Sequence, residues 1–80
     1  MQSTHPITAE RIEMTPSELV LHVQGAVLRL PWDRCSPCLA KASTPQRMDA
    51  KLSPGGYGIH WPGLDEDLSV QGLVRLAKVG

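Results

Sequence analysis

Eighty residues bound this chain to one small domain. Eight Lys and Arg balance eight Asp and Glu, for a formal net charge of zero. That balance argues against a strong nucleic-acid or membrane field. Two Cys are too few for a disulfide scaffold, and no apolar run reaches the roughly 18 residues of a membrane-spanning helix.

A chain of this size buries roughly 60% of its unfolded surface, so its stability is marginal and association with a partner would help. There is no Phe, and the core must come from Leu, Val, Ile, Met and two Trp. The opening MQSTHPITAE lacks a basic-then-apolar signal pattern, so a cytoplasmic location is expected. Residues 1–6 read as a flexible tail and 7–80 as a single small α+β domain.

Ile7 to Met14 reads as a first strand, with Ile12 and Met14 on one face. Thr15-Pro16-Ser17-Glu18 is a turn. Leu19 to Gln24 alternates clearly: Leu19, Leu21 and Val23 face one way, and Val20, His22 and Gln24 the other. Gln24-Gly25 makes a tight hairpin, Gly supplying a positive φ. Ala26 to Leu30 returns with Ala26, Leu28 and Leu30 inward and Arg29 outward, and Pro31 closes the strand. Trp32 reads as a lid over this three-strand meander. Ser36-Pro37 is an N-cap followed by a first helical residue, with a helix to Ala42. Thr44-Pro45 repeats the device through Met48. Asp49 to Ser53 is extended with Leu52 inward, and Pro54-Gly55-Gly56 is a turn or bulge.

The stretch GGYGIHWPGLDEDLSVQGL, Gly55 to Leu73, organises the rest. Tyr57, Ile59 and Trp61 alternate with Gly58 and His60, which puts the two aromatics and the Ile on a core-facing side of a central strand. Pro62-Gly63 turns the chain. Leu64 is an apolar anchor, and Asp65-Glu66-Asp67 reads as a charged loop. Ser69 is a helix N-cap. A helix from Val70 to about Lys78 would bury Val70, Leu73, Val74 and either Leu76 or Ala77, with Gly80 helping to stop it. The expected architecture is α+β: a small antiparallel sheet, made of a three-strand meander plus a further strand, with two or three short helices.

GYGIHWPGLDEDLSVQGL resembles the signature of a bacterial family known as domain of unknown function 2442, whose members read close to GYGIHWPDLDEDISVEGLL. The resemblance continues more loosely through Pro37, Leu39, Ala42, Thr44-Pro45 and Gln46-Arg47, and covers most of residues 8 to 76. It implies a compact α+β domain and transfers no catalytic residue. It also implies work in partnership. Genes of the family often sit beside another very small gene in an arrangement like a toxin–antitoxin pair, and some members carry a DNA-binding helix-turn-helix after this domain.

Three groups of residues carry chemistry. Cys35-Ser36-Pro37-Cys38 is a C-x-x-C, which at a helix start favours thiolate and could supply half a zinc site. No second C-x-x-C completes a tetrad, so His5, His22 or His60 would have to help. The plainer reading is two small apolar side chains, and in the family Cys38 falls where a basic residue is common. His60 with Asp65, Glu66 and Asp67 could bind a metal or do acid–base work. The plainer reading is a strand histidine beside acids that favour a helix N-terminus. Tyr57 and Trp61 could stack on a base or a proline, but their surroundings are acidic and core packing fits better.

There is no Walker loop, nucleophile elbow or H-E-x-x-H. The sequence therefore reads as a non-enzymatic interaction module without a cofactor, with Tyr57, His60, Trp61, Asp65, Glu66 and Asp67 as its candidate surface. The expected partner is a protein, the product of an adjacent small gene, or a second copy. Direct binding to nucleic acid or membrane is not expected. The alternative is a metal- or thiol-dependent activity using Cys35, Cys38 and His60. A third possibility is a sheet-edge binder, in which the Gly56 and Gly58 face lets another backbone approach.

Overall fold

A computed structural model describes residues 7–79 of the chain. The expected tail, His5 and the stop at Gly80 lie outside them. The chain is α+β, with two antiparallel three-stranded sheets and short helices. The first sheet is the meander: β1 (Arg11–Met14), β2 (Glu18–Val23) and β3 (Ala26–Pro31). Gln24 and Gly25 make the β2–β3 turn with φ of 52° and 81°, both positive as a two-residue turn matched to strand twist requires.

Four short segments follow: α1 (Trp32–Cys35), α2 (Pro37–Lys41), α3 (Thr44–Met48) and β4 (Lys51–Leu52). The Ser36 side chain accepts from the Leu39 amide at 3.1 Å, as an N-cap should. The start of α3 lies one residue earlier than Thr44-Pro45 suggests. Ser43 is the cap: its Oγ accepts from the Gln46 amide at 3.3 Å, and its own N–H donates to Gln46 Oε1 at 3.0 Å. This reciprocal pair satisfies two orphan donors together.

The further strand expected from the sequence is the middle of a second sheet. A 3-10 turn (Pro54–Gly56) leads into β5 (Gly58–Trp61), which pairs with β4 on one side and β6 (Glu66–Ser69) on the other. Helix α4 (Val70–Val79) closes the chain, and the Ser69 side chain caps it by accepting from Gly72 N–H at 3.0 Å. Val70, Leu73 and Val74 are buried. Of the two options at the next turn, Ala77 packs against the core and Leu76 is exposed. No helix among the described residues is long and apolar enough to cross a membrane.

The core joins Leu19, Leu21, Val23 and Leu30 of the first sheet to Ile59 and Trp61 of the second, with Leu39 and α4 between them. Trp32 is a core residue rather than a lid, at 2% exposure. Its ring meets Trp61 edge-on, centroids 6.2 Å apart at 84°, a favoured aromatic geometry. Its Nε1 donates to Thr15 O at 2.8 Å. Arg47 holds the other side. Its guanidinium sits 5.9 Å from the Trp32 ring centroid and donates to Leu39 O at 2.9 Å and Ala40 O at 2.8 Å, covering the end of α2.

At three positions burial differs from the sequence reading. Tyr57, expected inward, is 53% exposed. It caps the 3-10 turn in the helical region of φ/ψ, so the alternation starts only at Gly58. Ala26, also expected inward, is exposed because it borders a cleft with Val23, Leu28 and Val74 that its methyl does not fill. Val20 is on the outer face as expected, yet buried. Its cross-strand neighbours are Glu13 and Arg29, whose ion pairs with His22 and Glu18 lie over that face.

Candidate functional site

The β5–β6 hairpin carries most of the candidate surface. Trp61 O accepts from Leu64 N–H at 3.1 Å and Pro62 O from Asp65 N–H at 3.3 Å. Asp65 completes the reversal with φ of 51°, a left-handed conformation that Asp tolerates better than most residues. The acidic triplet is therefore not a loop throughout. Asp65 ends the turn, while Glu66 and Asp67 open β6, opposite Trp61 and His60. Strand pairing to the core residue Trp61 outweighs the poor β-propensity of the acids.

Pairing His60 with Asp67 brings the imidazole and the carboxylate together, His60 Nδ1 to Asp67 Oδ1 at 2.7 Å. Both side chains are open to water, 42% and 75% exposed. Such an exposed pair contributes under about 1 kcal/mol; its clearer effect is to fix register on the outer face. Lys51 stands across from His60 on the other side. Trp61, by contrast, points into the core and is inaccessible, so it supports this surface without belonging to it. Among the described residues neither Asp65 nor Glu66 has an ion-pair partner.

The chain's family follows from a match of residues 9–79 to the model described as "Protein of unknown function (DUF2442)". This chain belongs to that family. A crystal structure of a protein of unknown function from Rhodospirillum rubrum ATCC 11170 is similar, at 27% identity and a TM-score of 0.76, with 89% of this chain and 88% of that chain covered. A search of curated proteins found no match.

In this DUF2442 chain the cysteines are placed differently from a redox motif. Cys35 is the last residue of α1 rather than the first of a helix, and it is 5% exposed. Its thiol donates to Pro31 O at 3.6 Å. Burial, with the nearby Asp33 charge, pushes that thiol from an ordinary 9.0 up to about 11, the opposite of an activated thiolate. Cys38 is partly exposed in the first turn of α2, and both thiols are free. His60 lies on the outer face of β5. No group of three or more His, Cys, Asp or Glu side chains able to hold a metal forms among the described residues, so Cys35, Cys38 and His60 are not brought together as a ligand set.

A shift from 9.0 to about 11 lowers the thiolate fraction roughly 100-fold at neutral pH. In a Cys38→Ser background, native Cys35 should therefore react with iodoacetamide at pH 8 about 100-fold more slowly than the same thiol in denaturant. Because the folded state holds the proton more tightly, this group's contribution to stability is complete below about pH 9 and is lost as pH rises toward 11. Labelling of native Cys35 at the denatured rate would contradict the buried-thiol account.

A second histidine–carboxylate pair went unread in the sequence. On the outer face of the meander Glu13 accepts from His22 and from Arg11. The His22 hydrogen bond, against some desolvation and aided by the Arg11 charge, holds the Glu13 carboxyl below its ordinary 4.5. The signal was the matched charge alternation, with Arg11 and Glu13 on β1 facing His22 and Val20 on β2.

Proposed function

We propose that this protein is a small non-enzymatic interaction module whose working surface is the β5–β6 hairpin, and that its partner is a basic protein. One observation carries the reading. The hairpin holds Asp65, Glu66 and Asp67 in fixed positions over a buried Trp61, and only Asp67 has an ionic partner among the described residues. Fixed, uncompensated charge steers and selects a partner of opposite sign. The exposed Tyr57 precedes β5 at the same sheet and adds a large amphipathic contact. The resemblance to a family with paired small genes favours a partner encoded alongside, in a toxin–antitoxin-like or regulatory pair.

The test removes charge and leaves shape. Asn is suited to the positive φ of residue 65, Gln matches Glu66, and Asn at 67 can keep a hydrogen bond to His60. With the partner identified by native mass spectrometry of the tagged protein from its host, the Asp65→Asn, Glu66→Gln, Asp67→Asn variant should bind about tenfold more weakly, from three rim charges at roughly 0.5 kcal/mol each. Its affinity should also respond less to salt. Unchanged affinity and salt response would sink the reading.

A further inference from the structure

We propose that the outer edge of β6 and the groove beside it take an extended segment of a protein partner, one in which Lys or Arg alternates with a large apolar residue. The proposal rests on the interaction-module reading and names the recognition mode. β6 is an edge strand of its sheet. Val70 N–H donates to Tyr57 O at 2.9 Å. Antiparallel pairs alternate between bonded and non-bonded, so Ile59–Leu68 and Trp61–Glu66 are the bonded pairs and the main-chain N–H and C=O of Asp67 are directed away from β5. The opposite side of β5 is occupied by its own chain, with Ser53 N–H donating to Gly58 O at 2.8 Å. Of the two edge strands of this sheet β6 is the longer, four residues against two in β4, and it is the one that borders the groove described next.

A groove of about 140 Å³ adjoins that edge, lined by Cys35, Leu68, Leu73 and Leu76 with Ser69 and Gly72. Cavities of about 150 Å³ with apolar walls hold a benzene-sized group, so this one suits a single Leu- or Phe-sized side chain. Leu76 stands exposed at 38% on its lining. A short acidic edge by itself protects against aggregation; an apolar groove along it is not needed for that purpose. Side chains of an added strand alternate between faces. The residue beside Asp67 would lie on the outer face next to that exposed carboxylate, whose other neighbour there is His60, and its neighbour beside Leu68 would lie on the groove face, which Glu66 shares. This spacing selects a basic–apolar alternation. A second copy joined through the same edge with Asp67 opposite Asp67 would set like charges across strands, which is destabilising.

The full chain, labelled with ¹⁵N and in its methyl groups, would be titrated with a short capped peptide alternating Lys and Leu, and with the matching Glu–Leu peptide. The Lys–Leu peptide should bind saturably, shifting the Asp67 and Ser69 amides and the Leu76 methyls, and at least tenfold more tightly than the Glu–Leu peptide. Asp67→Lys should reverse that preference, and Leu76→Ser should weaken both. Both positions are exposed, and an unchanged Trp61 indole signal would verify folding. No saturable binding at millimolar peptide, equal affinity for the two peptides, or shifts centred on β3 would overturn the proposal, as would a homodimer paired through β6. A native partner complex that survives Asp67→Lys and Leu76→Ser would also overturn it, while leaving the interaction reading standing.

Discussion

Replacing Trp61 with alanine should lower the melting temperature by roughly 20–30 °C and leave much of the chain unfolded near 37 °C. Trp61 is fully buried, packs edge-on against Trp32 at 6.2 Å, and donates from Nε1 to Arg47 O at 3.1 Å. Truncating a buried aromatic to alanine costs about 3–5 kcal/mol. A chain of this size has only about 4–12 kcal/mol in total, at about 0.05–0.15 kcal/mol per residue, and each lost kcal/mol lowers Tm by about 4–8 °C. The loss also propagates, because Arg47 reaches from the Trp61 bond to Trp32 and to the carbonyls ending α2. Trp61→Phe keeps a ring and removes only the N–H, so it should cost about half as much. Trp32 remains as the fluorescent reporter for urea unfolding in both variants. An alanine variant that melts within a few degrees of the parent would mean that the two sheets do not depend on this contact.

The parts of the fold that were legible are those set by neighbours in sequence. Gln24-Gly25 turned the hairpin, Ser36-Pro37 and Ser69 capped helices, and Ile59 and Trp61 faced inward, each because a few adjacent residues decide the geometry. The second sheet was not legible because its pairing is non-local and its flanking strands are poor local signals. β4 is only Lys51–Leu52, and β6 reads EDLS, two residues of which disfavour strands. Helix α1 escaped for a similar reason, since WDRC is a single turn with no capping side chain. Tyr57 was placed one step into an alternation that the 3-10 turn had not yet begun. At the site, His60 and Asp67 were both candidates, but only the β5–β6 register makes them partners. The cysteines were misleading in the opposite sense: C-x-x-C spacing says nothing about burial, and burial decides the Cys35 thiol.

Gly56→Ala should be the most damaging of the turn-glycine substitutions, at about 3 kcal/mol, while Gly25→Ala should cost about 1 kcal/mol. Both residues have positive φ, 78° and 81°, so both substitutions carry the left-handed penalty. Space separates them. A Cβ at Gly25 meets nothing within 4 Å, whereas one at Gly56 falls 2.2 Å from Ala9 O, inside a backbone that cannot rotate away. The Ala9 amide donates to Gly56 O at 2.8 Å, so retreat breaks that bond and pulls Ala9, itself buried, from the core. Gly55 is intermediate: its Cβ would meet the Tyr57 ring at 2.6 Å, but that ring is exposed and can swing aside. Urea midpoints should therefore rank Gly56→Ala lowest, and hydrogen exchange should show the Ala9 amide opening in that variant alone. Equal midpoints for Gly56→Ala and Gly25→Ala would mean that Ala9 is not anchored there. The close backbone approach that glycine permits at 56 is used by the chain on itself.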